Sequence, residues 1–131
     1  MSVVVDASAV LAFLKFEPGA EVVTEYLQGA LLSAVNLLEV LEKSVKIEPG
    51  AAEKTVRLLL GWQVEFVPFD SDQALIAATI RQQVGTADVS LADRVCLALA
   101  KSRGLPVVTA DRLWTTLPLG LNVIQIREST H

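Results

Sequence analysis

Short apolar runs alternate along this chain with longer stretches whose apolar residues recur at helical spacing, which predicts strands and helices in turn. Val3-Val4-Val5 runs straight into Asp6 and makes a first strand over Val3 to Asp6. Ala9, Val10, Leu11, Ala12, Phe13, Leu14 and Phe16 follow as a helix apolar almost all round, the pattern of a helix buried on several sides, and Pro18-Gly19 stops it. An amphipathic helix over Ala20 to Gln28, closed by Gly29, leads to a second strand at Ala30 to Ser33. Val35, Leu37, Leu38, Leu41 and Val45 mark a third helix whose opposite face carries Glu39, Glu42, Lys43 and Lys46. Beyond the turn Glu48-Pro49-Gly50, Val56, Leu59 and Leu60 carry a fourth helix to Gly61, and a third strand fits Val64 to Val67. Asp70-Ser71-Asp72-Gln73 reads as an N-cap opening a fifth helix over Ala74 to Val84, which Gly85 closes.

The rest of the chain is organised around Ser90 to Trp114, SLADRVCLALAKSRGLPVVTADRLW. Ser90 caps a sixth helix, Gly104 ends it in the left-handed conformation, and Pro106 bars its continuation. Val107, Val108 and Thr109 form a short strand of the kind buried on both faces, and a last strand fits Leu121 to Ile126. Five short strands alternating with helices indicate an α/β protein with a parallel sheet covered on both faces, a three-layer doubly wound fold. Right-handed crossovers permit the strand order 3-2-1-4-5, with the switch between the strands that finish on Asp6 and Asp111. That is where open α/β sheets bind ligands.

The chain of 131 residues suits one domain spanning its whole length. A hydrophobic share of 52 % and a mean hydropathy of +0.48 are high for a soluble chain. No uninterrupted apolar run approaches the roughly 18 residues of a membrane span, so the surplus predicts apolar surface covered by partners. Asp6 interrupts the N-terminal apolar run and no basic segment precedes it, which argues against a secretory leader and makes the cytoplasm the expected location. Cys96 sits mid-helix among apolar residues as a buried structural thiol. The lone histidine, His131, is the last residue, so His-dependent catalysis and His/Cys zinc sites find no support. A net charge of −4 argues against nonspecific nucleic-acid binding.

Each candidate acid has a plain structural explanation. Asp6 caps the first helix, Asp93 is the acidic half of a capping box with Ser90, and Asp111 caps the turn Arg112-Leu113-Trp114. Glu39 pairs with Lys43 at i,i+4, as Glu42 does with Lys46. Capping alone does not require Asp6 and Asp111 to meet at a switch point with Asp93 opening the helix that feeds the Asp111 strand. Like charges brought together repel and raise at least one pKa, so such a cluster is best explained by a bound cation. Oxygen ligands alone suit Mg²⁺ or Mn²⁺ and disfavour zinc or copper. A carboxylate-held metal pair that activates water against a phosphodiester is nuclease chemistry.

Three segments carry a resemblance. VVVDASAVLAFL, SAVNLLEV and the Ser90–Trp114 stretch resemble, over essentially the whole length, the PIN domain family and specifically its VapC-type toxins of bacterial toxin–antitoxin pairs. The resemblance implies a PIN-like fold and an Mg²⁺- or Mn²⁺-dependent endoribonuclease, usually a homodimer, silenced by a VapB-like antitoxin whose C-terminal segment occupies the cleft. It assigns Asp6, Glu39, Asp93 and Asp111 as the metal-holding, catalytic acids, chooses Glu39 over Glu42, and puts Ser8 and Thr109 where the family often has a small hydroxyl near the metals. Arg94 and Arg112, each adjacent to a site acid, are candidates for contact with RNA phosphate. A receiver domain needs an acidic pair after an early strand, a haloacid-dehalogenase-type phosphatase needs D-x-D where this chain has Asp6-Ala7-Ser8, and a Rossmann domain needs a Gly-rich first turn. A non-catalytic PIN-like interaction module and a metal-dependent phosphatase stay open as alternatives.

Overall fold

A computed structural model describes residues 2–128, and His131 lies outside the described residues. Among them β1 (Val4–Val5), β2 (Leu31–Ser33), β3 (Glu65–Val67), β4 (Val107–Thr109) and β5 (Val123–Gln125) form one five-stranded sheet. Every pairing is parallel and the order is β3-β2-β1-β4-β5, as the crossover argument expects. The connections are α1 (Ala7–Lys15), α2 (Ala20–Leu27), α3 (Ala34–Val45), α4 (Ala51–Gly61), α5 (Ser71–Val84) and α6 (Leu91–Arg103), with a 3₁₀ helix at Arg112–Thr116.

The two-residue period of the strands makes the sheet a middle layer. Val3, Val5, Leu32 and Val108 enter one core with Val10 of α1, Val23 and Leu27 of α2, Val40 of α3 and Leu59 of α4. Val4, Leu31, Val67 and Val107 enter the other, against Ile80 of α5, Leu97 and Leu99 of α6, and Trp114. Val4, Val5, Val107 and Val108 are fully buried, each contributing about 1.5–3 kcal/mol from burial. The two central strands are therefore the best-anchored parts of the sheet, and they carry Asp6 and Asp111 at their carboxyl ends.

Element boundaries differ from the sequence reading where a side chain takes up capping. The first strand ends at Val5: the Asp6 N–H still donates to the Val108 carbonyl at 3.2 Å, while the Asp6 side chain accepts from the Ala9 N–H and caps α1. The fifth helix starts at Ser71 and not Ala74, since Asp70 Oδ1 accepts from the Gln73 N–H and sets the first turn there. Helix α1 stops at Lys15, one residue before Phe16, which adopts a left-handed φ of 55° and is 90 % exposed, so the expectation of a helix buried through Phe16 is corrected at its C-terminus. The last strand is confined to Val123–Gln125; beyond it Ile126 packs against Gly19, where a Cβ would stand 2.8 Å from the Ile126 carbonyl oxygen. Arg127 donates to the Pro18 carbonyl and pairs with Glu17, fastening this end of the chain to the α1–α2 turn. Gly104 closes α6 at a φ of +63°, as expected.

Candidate active site

The ends of two strands, β1 and β4, and three helices, α1, α3 and α6, converge on one cavity of about 190 Å³, lined by Asp6, Ser8, Asn36, Glu39, Lys43, Asp93 and Asp111 together with Ala7 and Leu11. The structure thus brings all four predicted acids to one concavity at the carboxyl edge of β1 and β4, the switch point of the strand order.

Asp6 is 5 % exposed and both of its carboxylate oxygens accept hydrogen bonds from within the protein. Oδ1 accepts from the Ala9 N–H at 2.8 Å and from Ser8 Oγ at 2.7 Å, while Oδ2 accepts from Thr109 Oγ1 at 2.6 Å. Ser8 Oγ in turn accepts from the Ala110 N–H at 3.0 Å, and Thr109 Oγ1 from the Asp111 N–H at 3.0 Å. Two hydroxyls therefore stitch the end of β1 to the end of β4 and hold Asp6 against Asp111's own backbone. Burial pushes the Asp6 pKa from an ordinary 3.8 up to about 6, against the lowering effect of the Thr109, Ala9 and Ser8 hydrogen bonds and with a smaller push from the Asp93 charge.

Asp93 sits in the first turn of α6. It forms a reciprocal capping box: Oδ2 accepts from the Ser90 N–H at 2.9 Å, and Ser90 Oγ accepts from the Asp93 N–H at 3.0 Å. Its pKa is raised, first by burial and further by the charges of Asp111 and Glu39, while the Ser90 hydrogen bonds oppose the shift. Asp111 Oδ1 accepts from the Leu113 N–H at 2.9 Å and caps the 3₁₀ helix. Glu39 Oε1 accepts from Asn36 Nδ2 at 2.9 Å. The capping reading and the site reading use different oxygens of the same groups. Asp93 Oδ1, Asp111 Oδ2 and Glu39 Oε2 make no hydrogen bond among the described residues, so each of these cavity-lining carboxylates spends one oxygen on the fold and leaves the other unbonded.

Three of these acids plus Glu39, faced by one lysine, form an oxygen-only, strongly negative donor set, which fits a hard divalent cation and fits no soft one. Among the described residues no three carboxylate, imidazole or thiol groups converge tightly enough to enclose an ion by themselves. A shell completed by waters and substrate oxygens, as Mg²⁺ keeps, is what such spacing accommodates.

Glu39 lines the cavity whereas Glu42 is exposed and outside it. Neither makes an ion pair among the described residues, so the expected i,i+4 pairs with Lys43 and Lys46 do not close. Lys43, read from sequence as part of a solvated face, lines the cavity; its position one turn beyond Glu39 was the available signal. Asn36 also lines it and was not singled out from sequence. Arg94 is half-buried with its Nε buried and unpartnered, Arg112 is exposed, and neither lines the cavity. Cys96 is fully buried with Sγ 3.9 Å from the Val5 carbonyl oxygen. Burial, followed by the Asp6, Asp93 and Glu39 charges, drives its thiol well above the ordinary cysteine range, which leaves it inert as a nucleophile.

No curated protein matches the chain by sequence. Solved structures match its fold over nearly its whole length. A toxin–antitoxin complex from Klebsiella pneumoniae contains a chain with a TM-score of 0.78 and 18 % identity, covering 98 % of this chain and 100 % of its own. VapBC2 from Rickettsia felis, bound to a DNA fragment from its promoter, gives a TM-score of 0.79 at 14 % identity, covering 97 % and 100 %. VapC20 of Mycobacterium tuberculosis, described as a sarcin–ricin loop cleaving toxin, gives 0.73 at 15 % identity, again covering 97 % and 100 %. The PIN domain family matches residues 3–117, a span that includes β1 to β4, all four cavity acids and the 3₁₀ helix, and the chain therefore belongs to the PIN domain family.

Proposed function

We propose that this protein is a VapC-type toxin, an Mg²⁺- or Mn²⁺-dependent endoribonuclease that hydrolyses RNA phosphodiester bonds. The observation that carries the reading is the meeting of Asp6, Glu39, Asp93 and Asp111 in one cavity at the sheet's switch point. These four carboxylates would hold the metal. When bound, a divalent ion lowers the pKa of a water and offsets charge on phosphoryl oxygens. The chain's own part is positional. Ser8 and Thr109 lock Asp6, the Ser90 box locks Asp93, and the 3₁₀ helix locks Asp111, so the acids are oriented before substrate arrives. Lys43 offers its ammonium to an incoming phosphate at the cavity wall, with Arg94 and Arg112 as outer phosphate contacts.

A second groove of about 230 Å³ adjoins the first through Leu11 and Lys43 and is walled by Leu14, Ile47 and Ala51 from α1, the end of α3 and the start of α4. A C-terminal segment of a VapB-like antitoxin, laid along it as a helix in a groove, would reach the acids and silence them. The fold shared with chains of toxin–antitoxin complexes supports that partner. A homodimer is expected to cover exposed apolar side chains such as Leu38, Leu75 and Leu91, and the cytoplasm is where RNA, antitoxin and toxin would meet. The spacing of the carboxylates favours one other reading, a non-catalytic interaction module. Incubating purified protein with labelled RNA in Mn²⁺ and in EDTA separates the two: endonucleolytic products in Mn²⁺ alone support the enzyme, and intact RNA in both supports the module.

A further inference from the structure

Asn36 is 1 % exposed on the first turn of α3, and its side-chain amide bridges one cavity acid, Glu39, and the α6 backbone beside another, Asp93. Nδ2 donates to Glu39 Oε1 at 2.9 Å and to the carbonyl oxygen of Ala92, the residue before Asp93, at 3.1 Å. Both partners only accept, so their chemistry fixes which end of the amide faces them. Oδ1 is consequently left on the other side, buried and without a hydrogen-bond partner. An unpaired buried oxygen lowers stability, and an apolar side chain of similar size would avoid that loss. What the amide supplies that packing could not is a double donor joining a cavity carboxylate on α3 to the first turn of α6, 56 residues further along the chain.

The geometry points to Asn36 as a positioning residue for the metal-holding set: it orients the Glu39 carboxylate and fixes its separation from Asp93. This rests on the proposed metal-dependent reading of the cavity. Without the amide, Glu39 Oε1 has no partner among the described residues and its side chain is free to swing out along α3 toward solvent. Partners of this kind typically alter metal affinity by about 10–100-fold when removed. A residue that merely ties α3 to α6 would act whether or not Glu39 is present, and that difference is measurable.

The experiment is calorimetric titration of Mn²⁺ into wild type, Asn36→Ala, Glu39→Ala and the double variant, with melting in EDTA as a folding control. Asn36→Ala is expected to weaken Mn²⁺ binding by roughly 10-fold in the wild-type background and by less than about 2-fold in the Glu39→Ala background, with cleavage falling in parallel. Equal weakening in both backgrounds, or none in either, overturns the inference while leaving the nuclease reading intact. Wild-type protein that neither binds Mn²⁺ nor cleaves RNA overturns both. Should Asn36→Ala fail to fold, Asn36→Ser, whose hydroxyl is too short to span Glu39 and Ala92, takes its place with the same expectation and the same refutation.

Discussion

In metal-free protein, Asp6→Asn should melt higher than wild type. Asp6 is buried with a pKa raised from 3.8 to about 6, and at about 1.4 kcal/mol per unit that shift opposes folding by roughly 3 kcal/mol once the group is ionised. The sign in pH follows. Below the unfolded value near 3.8 both states hold the proton and there is no penalty; the penalty grows as pH rises through about 6 and is complete above it. The amide removes the charge and still accepts from the Ala9 N–H, since Asn caps helices as well as Asp does. It loses one acceptor. Thr109 Oγ1 already accepts from the Asp111 N–H, so facing Asn Nδ2 it must exchange its 2.6 Å bond to a carboxylate for a longer one of 3.3 Å to Ser8 Oγ, at a cost of about 1 kcal/mol. The net gain is about 1–2 kcal/mol at pH 7.5, a rise of about 3–8 °C for a chain of this size. Thermal melting of both proteins in EDTA at pH 7.5 and at pH 4.5 is the assay, and the gap should shrink at the lower pH. Saturating Mn²⁺ should reverse the ranking, because a ligand at about 100 times its Kd stabilises the native state by about 2.7 kcal/mol and only wild type keeps the full donor set. If Asp6→Asn melts lower than wild type in EDTA and Mn²⁺ shifts both equally, Asp6 is a helix cap and not part of a metal-holding cluster.

Three further outcomes test the fold around the site. Phe16→Gly should raise stability by about 0.5–1 kcal/mol in urea titration, because Phe16 holds a left-handed φ of 55° while 90 % exposed and so has little packing to lose. Gly19→Ala should lower it by about 2–4 kcal/mol, since the new Cβ would meet the Ile126 carbonyl at 2.8 Å on a φ of +96°. Cys96 should resist thiol reagents in native protein and react fully in denaturant, and rapid native labelling would contradict its burial between α6 and β1.

The sheet order was legible because Val3-Val4-Val5 and Val107-Val108 are unbroken apolar runs separated by helical patterns, and handedness then leaves few topologies. Boundaries were less so. Whether Asp6 continues a strand or caps a helix depends on where its carboxylate turns, and the partners that turn it, Ser8 and Thr109, include one 103 residues away. The same ambiguity made each acid look like either a cap or a ligand; in the structure Asp93 and Asp111 each cap with one oxygen and leave the other without a hydrogen bond among the described residues. Asn36 was invisible in sequence because its meaning lies in contact with Ala92, across the α3–α6 packing. Lys43 is exposed, as its place on the solvated face predicts, but the i,i+4 pair with Glu39 does not form and the lysine also lines the cavity.

The central claim is that one cavity, made by four particular acids, performs metal-dependent cleavage of RNA. Its most direct test is cleavage of an end-labelled RNA in Mn²⁺ by purified wild type and by Asp6→Asn, Glu39→Gln, Asp93→Asn, Asp111→Asn and Glu42→Gln, each first verified as folded by melting. The account predicts that the four cavity variants fall to the level seen in EDTA while Glu42→Gln, whose parent side chain is exposed outside the cavity, cleaves like wild type. Loss of activity in Glu42→Gln with retention in Glu39→Gln, or cleavage by wild type that EDTA leaves unchanged, would contradict it.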